Sequence, residues 1–277
     1  MKVKDVLRKE VDKLNSFNVE DAILKAQMLL QNILGVSHEY LVMHYEDEIS
    51  NDNLKEYERN IVDLINDKPI QYILNNQTFY GYNFYVDENV LIPQPDTECL
   101  VEEVIGLGNE LDKKIKILDI CTGSGAIAIS LRKNLNCQMY ASDISLEALE
   151  IARKNTVINN CEVTFIHSNM FENINEKFDI IVSNPPYIET NVIKTLSEEV
   201  KQEPLLALDG GKDGLDFYRI LTENAGKYLN ENGVLAVEIG YNQKDSVIEL
   251  FEKSGFDKVY SKKDLGNNDR IVVGRWK

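Results

Sequence analysis

The tetrapeptide Asn184-Pro185-Pro186-Tyr187 puts a side-chain amide, two rigid prolines and an aromatic ring at consecutive positions. It follows the apolar run Phe178-Asp179-Ile180-Ile181-Val182, which predicts a buried strand. Prolines cannot donate to a sheet ladder, so the strand stops there. The residue ahead of a proline is pushed into extended backbone, which holds Asn184 in a stiff, projecting loop. An amide, backbone carbonyls that no ladder uses and an aromatic face can together grip a planar group bearing an NH2. A carboxamide and an adenine both fit that description.

A second set of residues precedes it. Ile115-Lys116-Ile117-Leu118 runs through Asp119 and Ile120 into Cys121-Thr122-Gly123-Ser124-Gly125-Ala126, a strand, a glycine turn and the start of a helix. Such turns let a ligand approach the backbone and expose the N–H groups of the helix start. The stretch from Gly123 to Ala128 also fits the loose dinucleotide pattern G-x-G-x-x-A. Asp143 ends the next strand, about 20 residues after the first glycine, where a carboxylate can accept both hydroxyls of a ribose. Asp143 or Ser145 could otherwise cap the helix that begins near Leu146. Asp119, just ahead of the turn, favours S-adenosylmethionine over a dinucleotide. A carboxylate attracts a cationic amino acid portion and repels a pyrophosphate.

Beside a sulfonium methyl, the tetrapeptide suits methyl transfer to nitrogen. An amide nitrogen is a poor nucleophile because its lone pair is delocalised into the carbonyl. The Asn184 side-chain oxygen and the Pro185 carbonyl can accept its two N–H bonds, and both become better partners as the nitrogen gains positive charge. Tyr187 can stack on the planar group. The proton can leave after transfer, so alignment of nucleophile, methyl and sulfur is the main requirement.

The elements that position these residues alternate. Strands are expected at 116–120, 138–142, 163–167, 179–183, 233–239, 258–260 and 270–273, with helices at 97–107, 126–134, 146–159, 214–228 and 243–254. The last two strands have a short connection, which predicts an antiparallel pair. The first 65 to 70 residues read as helices. Val3, Val6, Leu7, Val11 and Leu14 form one stripe, and Ala22, Ala26, Leu29, Leu30 and Ile33 a second. Leu54, Tyr57, Ile61, Leu64 and Ile65 form a third. Asn18 or Glu20-Asp21 could begin the second helix, and Asn51-Asp52-Asn53 a later one. The aromatic segment 78–86, with Gly81 as its turn, and the run Val90-Leu91-Ile92 predict a β-hairpin linking the two regions. The expected organisation is a helical domain over 1–74, a hairpin linker over 75–95 and an α/β domain over 96–277.

With 277 residues, 43% hydrophobic, the chain can bury a sizeable core. A net charge of −16 leaves no broad basic footprint for nucleic acid. Cys99, Cys121, Cys137 and Cys161 form no C-x-x-C pair, and His38, His44 and His167 are scattered, so no metal site is expected. No apolar run is long enough to span a bilayer and the start has no apolar signal core, so a cytoplasmic protein is expected.

Over nearly its whole length the chain resembles the HemK/PrmC family of protein-(glutamine amide nitrogen) methyltransferases. The residues that carry the likeness include Pro69-Ile70-Gln71-Tyr72-Ile73, Phe79-Tyr80-Gly81, the segment 91–98, the segment 119–125 and Asn184 to Tyr187. Glu203-Pro204 with the segment 207–215, and Asp264-Leu265-Gly266 with Asp269-Arg270, add to it. The resemblance implies a Rossmann-like domain with a mainly parallel seven-stranded sheet, its last strands antiparallel, and a helical N-terminal domain that helps bind substrate. It implies that Asp119, Cys121, Thr122, Gly123, Ser124, Gly125 and Asp143 bind S-adenosylmethionine, with Asn169 and Met170 flanking the adenine. Asn184 would serve both cofactor and substrate, while Pro185, Pro186 and Tyr187 would hold the glutamine of the Gly-Gly-Gln loop of peptide chain release factors. S-adenosylhomocysteine would be the product and a monomer the working form. Gln94 stands where the family usually has arginine, Asn169 where it commonly has an acid, and Cys121 where it often has glycine.

Rival readings from the same residues are an adenine-N6 nucleic acid methyltransferase, an NAD-dependent oxidoreductase and a binding module that senses its ligand without turnover. The acidic balance argues against the first.

Overall fold

The computed structural model describes residues 1–111 and 114–277. It divides into two compact units: residues 1–75 with 197–202, and residues 76–196 with 203–277.

The first unit holds α1 (Val3–Ser16), α2 (Ala22–Leu34), α3 (His38–Met43), α4 (Asn51–Ile65) and α5 (Ile70–Leu74). The expected stripes become its core, with Val6, Leu14, Ala26, Leu29, Leu30, Tyr57 and Ile61 all fully buried. The Tyr57 hydroxyl donates to the Ala26 carbonyl at 3.1 Å, which satisfies the one polar atom this ring carries inward. α4 begins at Asn51, where the Asn-Asp-Asn cluster places it, and the Ser50 hydroxyl just ahead caps it by accepting from Asn53 N at 3.1 Å.

The second unit opens with β1 (Gln77–Phe79) and β2 (Tyr82–Phe84), antiparallel across Tyr80 and Gly81. Both turn residues have positive φ, 50° and 77°, the backbone a tight hairpin needs. The expected strand at Val90-Leu91-Ile92 does not form. Ile92 N donates instead to the Glu203 carboxylate at 2.9 Å, and Pro93 and Pro95 exclude a ladder beyond it.

A short 3₁₀ turn, Pro95–Thr97, leads into α6 (Glu98–Asn109). Then follow β3 (Ile115–Ile120), α7 (Ala126–Asn134), β4 (Cys137–Asp143), α8 (Leu146–Ile158), β5 (Thr164–His167) and β6 (Phe178–Ser183). Two short helices, α9 (Thr190–Ile193) and α10 (Leu205–Leu208), precede α11 (Asp216–Tyr228), β7 (Leu229–Glu238), α12 (Lys244–Lys253), β8 (Asp257–Lys263) and β9 (Asp269–Arg275). The sheet order is β5-β4-β3-β6-β7-β9-β8, parallel from β5 to β7, with β9 antiparallel to both β7 and β8. β3, β6 and residues 233–238 of β7 are central and almost wholly buried, as strands covered on both faces must be. Among the described residues no helix is long and apolar enough to cross a membrane.

Candidate functional site

The parallel strands all end on one edge, where ligands of open α/β sheets bind. A cavity of about 290 Å³ lies there. Its lining includes Cys121, Thr122, Gly123 and Ser124 after β3, Asp143 at the end of β4, Asn169 and Met170 after β5, and Asn184 and Pro186 after β6. Asp119, Gly125, Pro185 and Tyr187 are not among the lining residues.

The turn after β3 is tied to its neighbours. Thr122 N donates to Ser142 O at 3.0 Å, and Gly123 N to Asp143 Oδ2 at 2.9 Å. Nothing stands within 4 Å of where a side chain on Gly123 would begin, so the backbone is open to a ligand there. Asp143 Oδ1 accepts from Ser145 N at 2.9 Å, while the Ser145 hydroxyl caps α8 by accepting from Ala148 N at 3.0 Å. The cap is therefore Ser145, and each Asp143 oxygen keeps lone-pair capacity for a ligand. Burial raises the Asp143 carboxyl, and the backbone N–H groups of Ser145, Gly123 and Ile144 oppose it.

Asp119 sits beneath the turn, fully buried. Its Oδ2 accepts from the Thr122 hydroxyl at 2.6 Å, and its Oδ1 has no partner. Burial pushes its carboxyl up to about 7; the Thr122 hydroxyl works against this and the nearby Asp143 charge adds to it. Cys121 and Met170 both have left-handed backbone, with φ of 61° and 50°, and their sulfur atoms lie 3.9 Å apart. Burial also raises the Cys121 thiol, so it stays protonated. Asn169 is exposed and donates through Nδ2 to Glu172 at 3.0 Å, which leaves its Oδ1 free of that contact.

The Asn-Pro-Pro-Tyr loop is clasped from outside. Ile188 N donates to Leu208 O at 3.0 Å and Gly210 N to Ile188 O at 2.8 Å. A side chain at Gly210 would fall 2.7 Å from Tyr187 Cα, so the two backbones touch only because this residue is glycine. Tyr187 is half-buried and packs on the core, its ring edge next to Gly240. Burial first, then the Glu238 charge, push its phenol up to about 12. Asn184 Nδ2 donates to Thr97 Oγ1 at 3.3 Å. The departure at Gln94 leaves its segment anchored: Asp96 pairs with Arg270 at 3.0 Å, and Glu98 accepts from Tyr80 N at 2.7 Å.

Sequence reasoning missed Thr97, Glu238 and Gln243, and the cavity wall made by Pro204, Leu206 and Ala207. Glu238 carried one legible signal, a carboxylate at the end of a strand, as at Asp119 and Asp143. Among the described residues no group of three or more His, Cys, Asp or Glu is placed to hold a metal ion. The cavity does fit an S-adenosyl nucleoside. It offers a carboxylate with spare acceptor capacity for a ribose and an open glycine backbone, and the buried Asp119 carboxylate lies outside its lining, beneath the turn.

The PrmC N-terminal domain family matches residues 5–74 and the methyltransferase small domain family residues 97–206. The release factor glutamine methyltransferase of Clostridium acetobutylicum is 39% identical over 284 residues, covering 99% of this chain and 98% of that protein. A bifunctional methyltransferase of Rickettsia felis is 35% identical over 98% of this chain, which spans only 57% of that protein's length. A methyltransferase structure from Pyrococcus furiosus shares the fold, with a TM-score of 0.55 and 23% identity, covering 79% of this chain and 98% of that one. With a full-length relative this similar and both domain families matched in order, the chain belongs to the release factor glutamine methyltransferase family.

Proposed function

We propose that the chain transfers a methyl group from S-adenosylmethionine to the side-chain amide nitrogen, N5, of the glutamine in the Gly-Gly-Gln loop of peptide chain release factors, and so modulates translation termination. The observation that carries this reading is the position of Asn184. It lines the same cavity as Asp143 and the glycine turn, and its amide nitrogen is taken up by Thr97, which leaves Oδ1 as the end available to an acceptor amide.

Bound S-adenosylmethionine would supply an electrophilic methyl group on a sulfonium. Asp143 would hold its ribose, Asn169 and Met170 its adenine, and Cys121, Thr122, Gly123, Ser124 and Gly125 its amino acid end through backbone groups. Asp119 acts from beneath that turn, its unpaired oxygen contributing negative charge toward an ammonium. The chain's own work is to hold the acceptor amide. Asn184 Oδ1 and the Pro185 carbonyl accept its two N–H bonds and aim the lone pair. Those bonds strengthen as charge develops on nitrogen. Pro185 and Pro186 make the loop stiff, and Tyr187 fixes its far end and flanks the planar group. The buried, apolar setting keeps water from competing for the same acceptors.

On this reading the enzyme acts in the cytoplasm, as a monomer, on a protein and not on nucleic acid. The net charge of −16 supports the last point. Transfer of labelled methyl from S-adenosylmethionine, with release factor and DNA offered together, tests the choice of acceptor. Label in the release factor alone is expected, and label in DNA alone would reverse the conclusion.

A further inference from the structure

A buried carboxylate stands behind the Asn-Pro-Pro-Tyr loop. Glu238 is the last residue of β7 and only 2% exposed. The β6–β7 register pairs Ser183 with Val237, so Asn184 and Glu238 leave adjacent parallel strands side by side. Glu238 does not line the cavity, whereas Asn184 and Thr97 do. Its Oε2 is buried and has no hydrogen-bond partner. A charge in such a place is costly unless it is paired or hydrogen-bonded.

What it can do follows from the chemistry of an amide. The two ends of the Asn184 side chain are alike in shape and opposite in character. To accept a substrate N–H, Asn184 must show its oxygen to the cavity and its nitrogen to the protein. Its nitrogen donates to the Thr97 hydroxyl, and that hydroxyl then has one proton to give. An ionised carboxylate is an acceptor only, so beside Thr97 it would take the hydroxyl proton and oppose any arrangement that turns the Asn184 oxygen inward. The Thr97 hydroxyl and the Asn184 amide are the two hydrogen-bonding side chains that favour the ionised form of Glu238 against its burial.

We propose that Glu238 is a positioning residue. Acting largely through Thr97, its carboxylate locks the Asn184 amide with nitrogen inward and Oδ1 toward the acceptor amide. The inference rests on the methyl-transfer reading above. A reversed Asn184 would present NH2 to NH2, donor against donor, and the acceptor amide would lose one of its two fixed bonds.

Burial raises the Glu238 carboxyl to about 7, so ionisation and lock should be lost together on the acid side. The groups facing it are Asp96 from the turn before α6, Cys99 from α6, Tyr187 from the loop, Tyr218 from α11 and Arg270 from β9. Arg270 is already engaged by Asp264 at 2.9 Å and Asp96 at 3.0 Å.

The test is Glu238→Gln, which keeps the shape, beside Thr97→Ser and Thr97→Val. Glu238→Gln should keep or raise the thermal midpoint, since a buried charge is removed, and should bind S-adenosylhomocysteine as the wild type does by calorimetry. Its kcat on release factor should fall about tenfold or more, with a smaller change in KM. The acid limb of the wild-type kcat profile near pH 7 should flatten in this variant. Thr97→Ser should retain more turnover than Thr97→Val. A purely structural role predicts the reverse for Glu238→Gln, a lower midpoint with an unchanged pH profile. Wild-type kcat in Glu238→Gln would overturn the inference alone. Failure of the wild type to methylate release factor at all would overturn the reading beneath it, and the inference with it.

Discussion

The side-chain amide of Gln243 donates to the backbone carbonyl of Tyr187 at 3.0 Å. The same nitrogen donates to Gly214 O at 3.1 Å, and its oxygen accepts from Gly240 N at 2.9 Å. One buried side chain thus ties the end of the Asn-Pro-Pro-Tyr loop to the segment that clasps it and to the end of β7. Gln243→Ala leaves these backbone groups without partners, at a cost of about 1–3 kcal/mol for a buried unpaired group. Denaturant unfolding should show that loss. Turnover should fall further than the fraction folded, because the loop that carries Asn184 loosens.

Asn184→Ala should leave S-adenosylhomocysteine binding nearly intact and cut turnover by about 100-fold or more, the scale seen when a single transition-state hydrogen bond is removed. Calorimetry and initial rates check the two halves separately. Wild-type-like turnover would mean that Asn184 does not hold the acceptor amide.

Asp143→Asn should weaken cofactor binding by about tenfold or more, while leaving the fold in place. The carboxylate accepts from both Gly123 N and Ser145 N, whereas an asparagine has one acceptor end and must face one of those N–H groups with its own NH2. Calorimetry with S-adenosylhomocysteine measures the change.

Stability should fall as pH rises through the range from about 4 to about 7. Asp119 and Glu238 are both raised to about 7 in the folded chain by burial, from ordinary values of 3.8 and 4.5. In that window the folded state holds more protons than the unfolded one, so the slope of unfolding free energy against pH is negative. The contribution is complete below the unfolded values and lost as pH passes the folded ones. Thermal midpoints of the ligand-free protein across this range check it, and Asp119→Asn or Glu238→Gln should each flatten part of the slope.

Much of this site was legible in the chain because its parts are local. The glycine turn, Asp143 at a strand end and the double proline each impose their geometry on immediate neighbours. The parallel sheet was legible from the alternation of apolar runs with amphipathic helices. The parts that escaped depend on long-range contacts. Glu203 takes the backbone N–H that a strand at Val90-Leu91-Ile92 would have spent on a ladder, from 111 residues away. Gln243 reaches Tyr187 across 56 residues, and Thr97 meets Asn184 across 87. Nothing in the composition around these residues announces their partners. The short helices α9 and α10 were missed because one turn or so shows no period, and for the same reason α3 and α5, inside the region read as helical, could not be delimited one by one.

Peptide-resolved mass spectrometry of release factors, after incubation with this protein and S-adenosylmethionine, tests the central claim most directly. The account predicts one added methyl on the glutamine of the Gly-Gly-Gln loop, and none when Asn184→Ala replaces the wild type. A methyl on any other residue, or an unmodified loop glutamine while nucleic acid gains label, would contradict it.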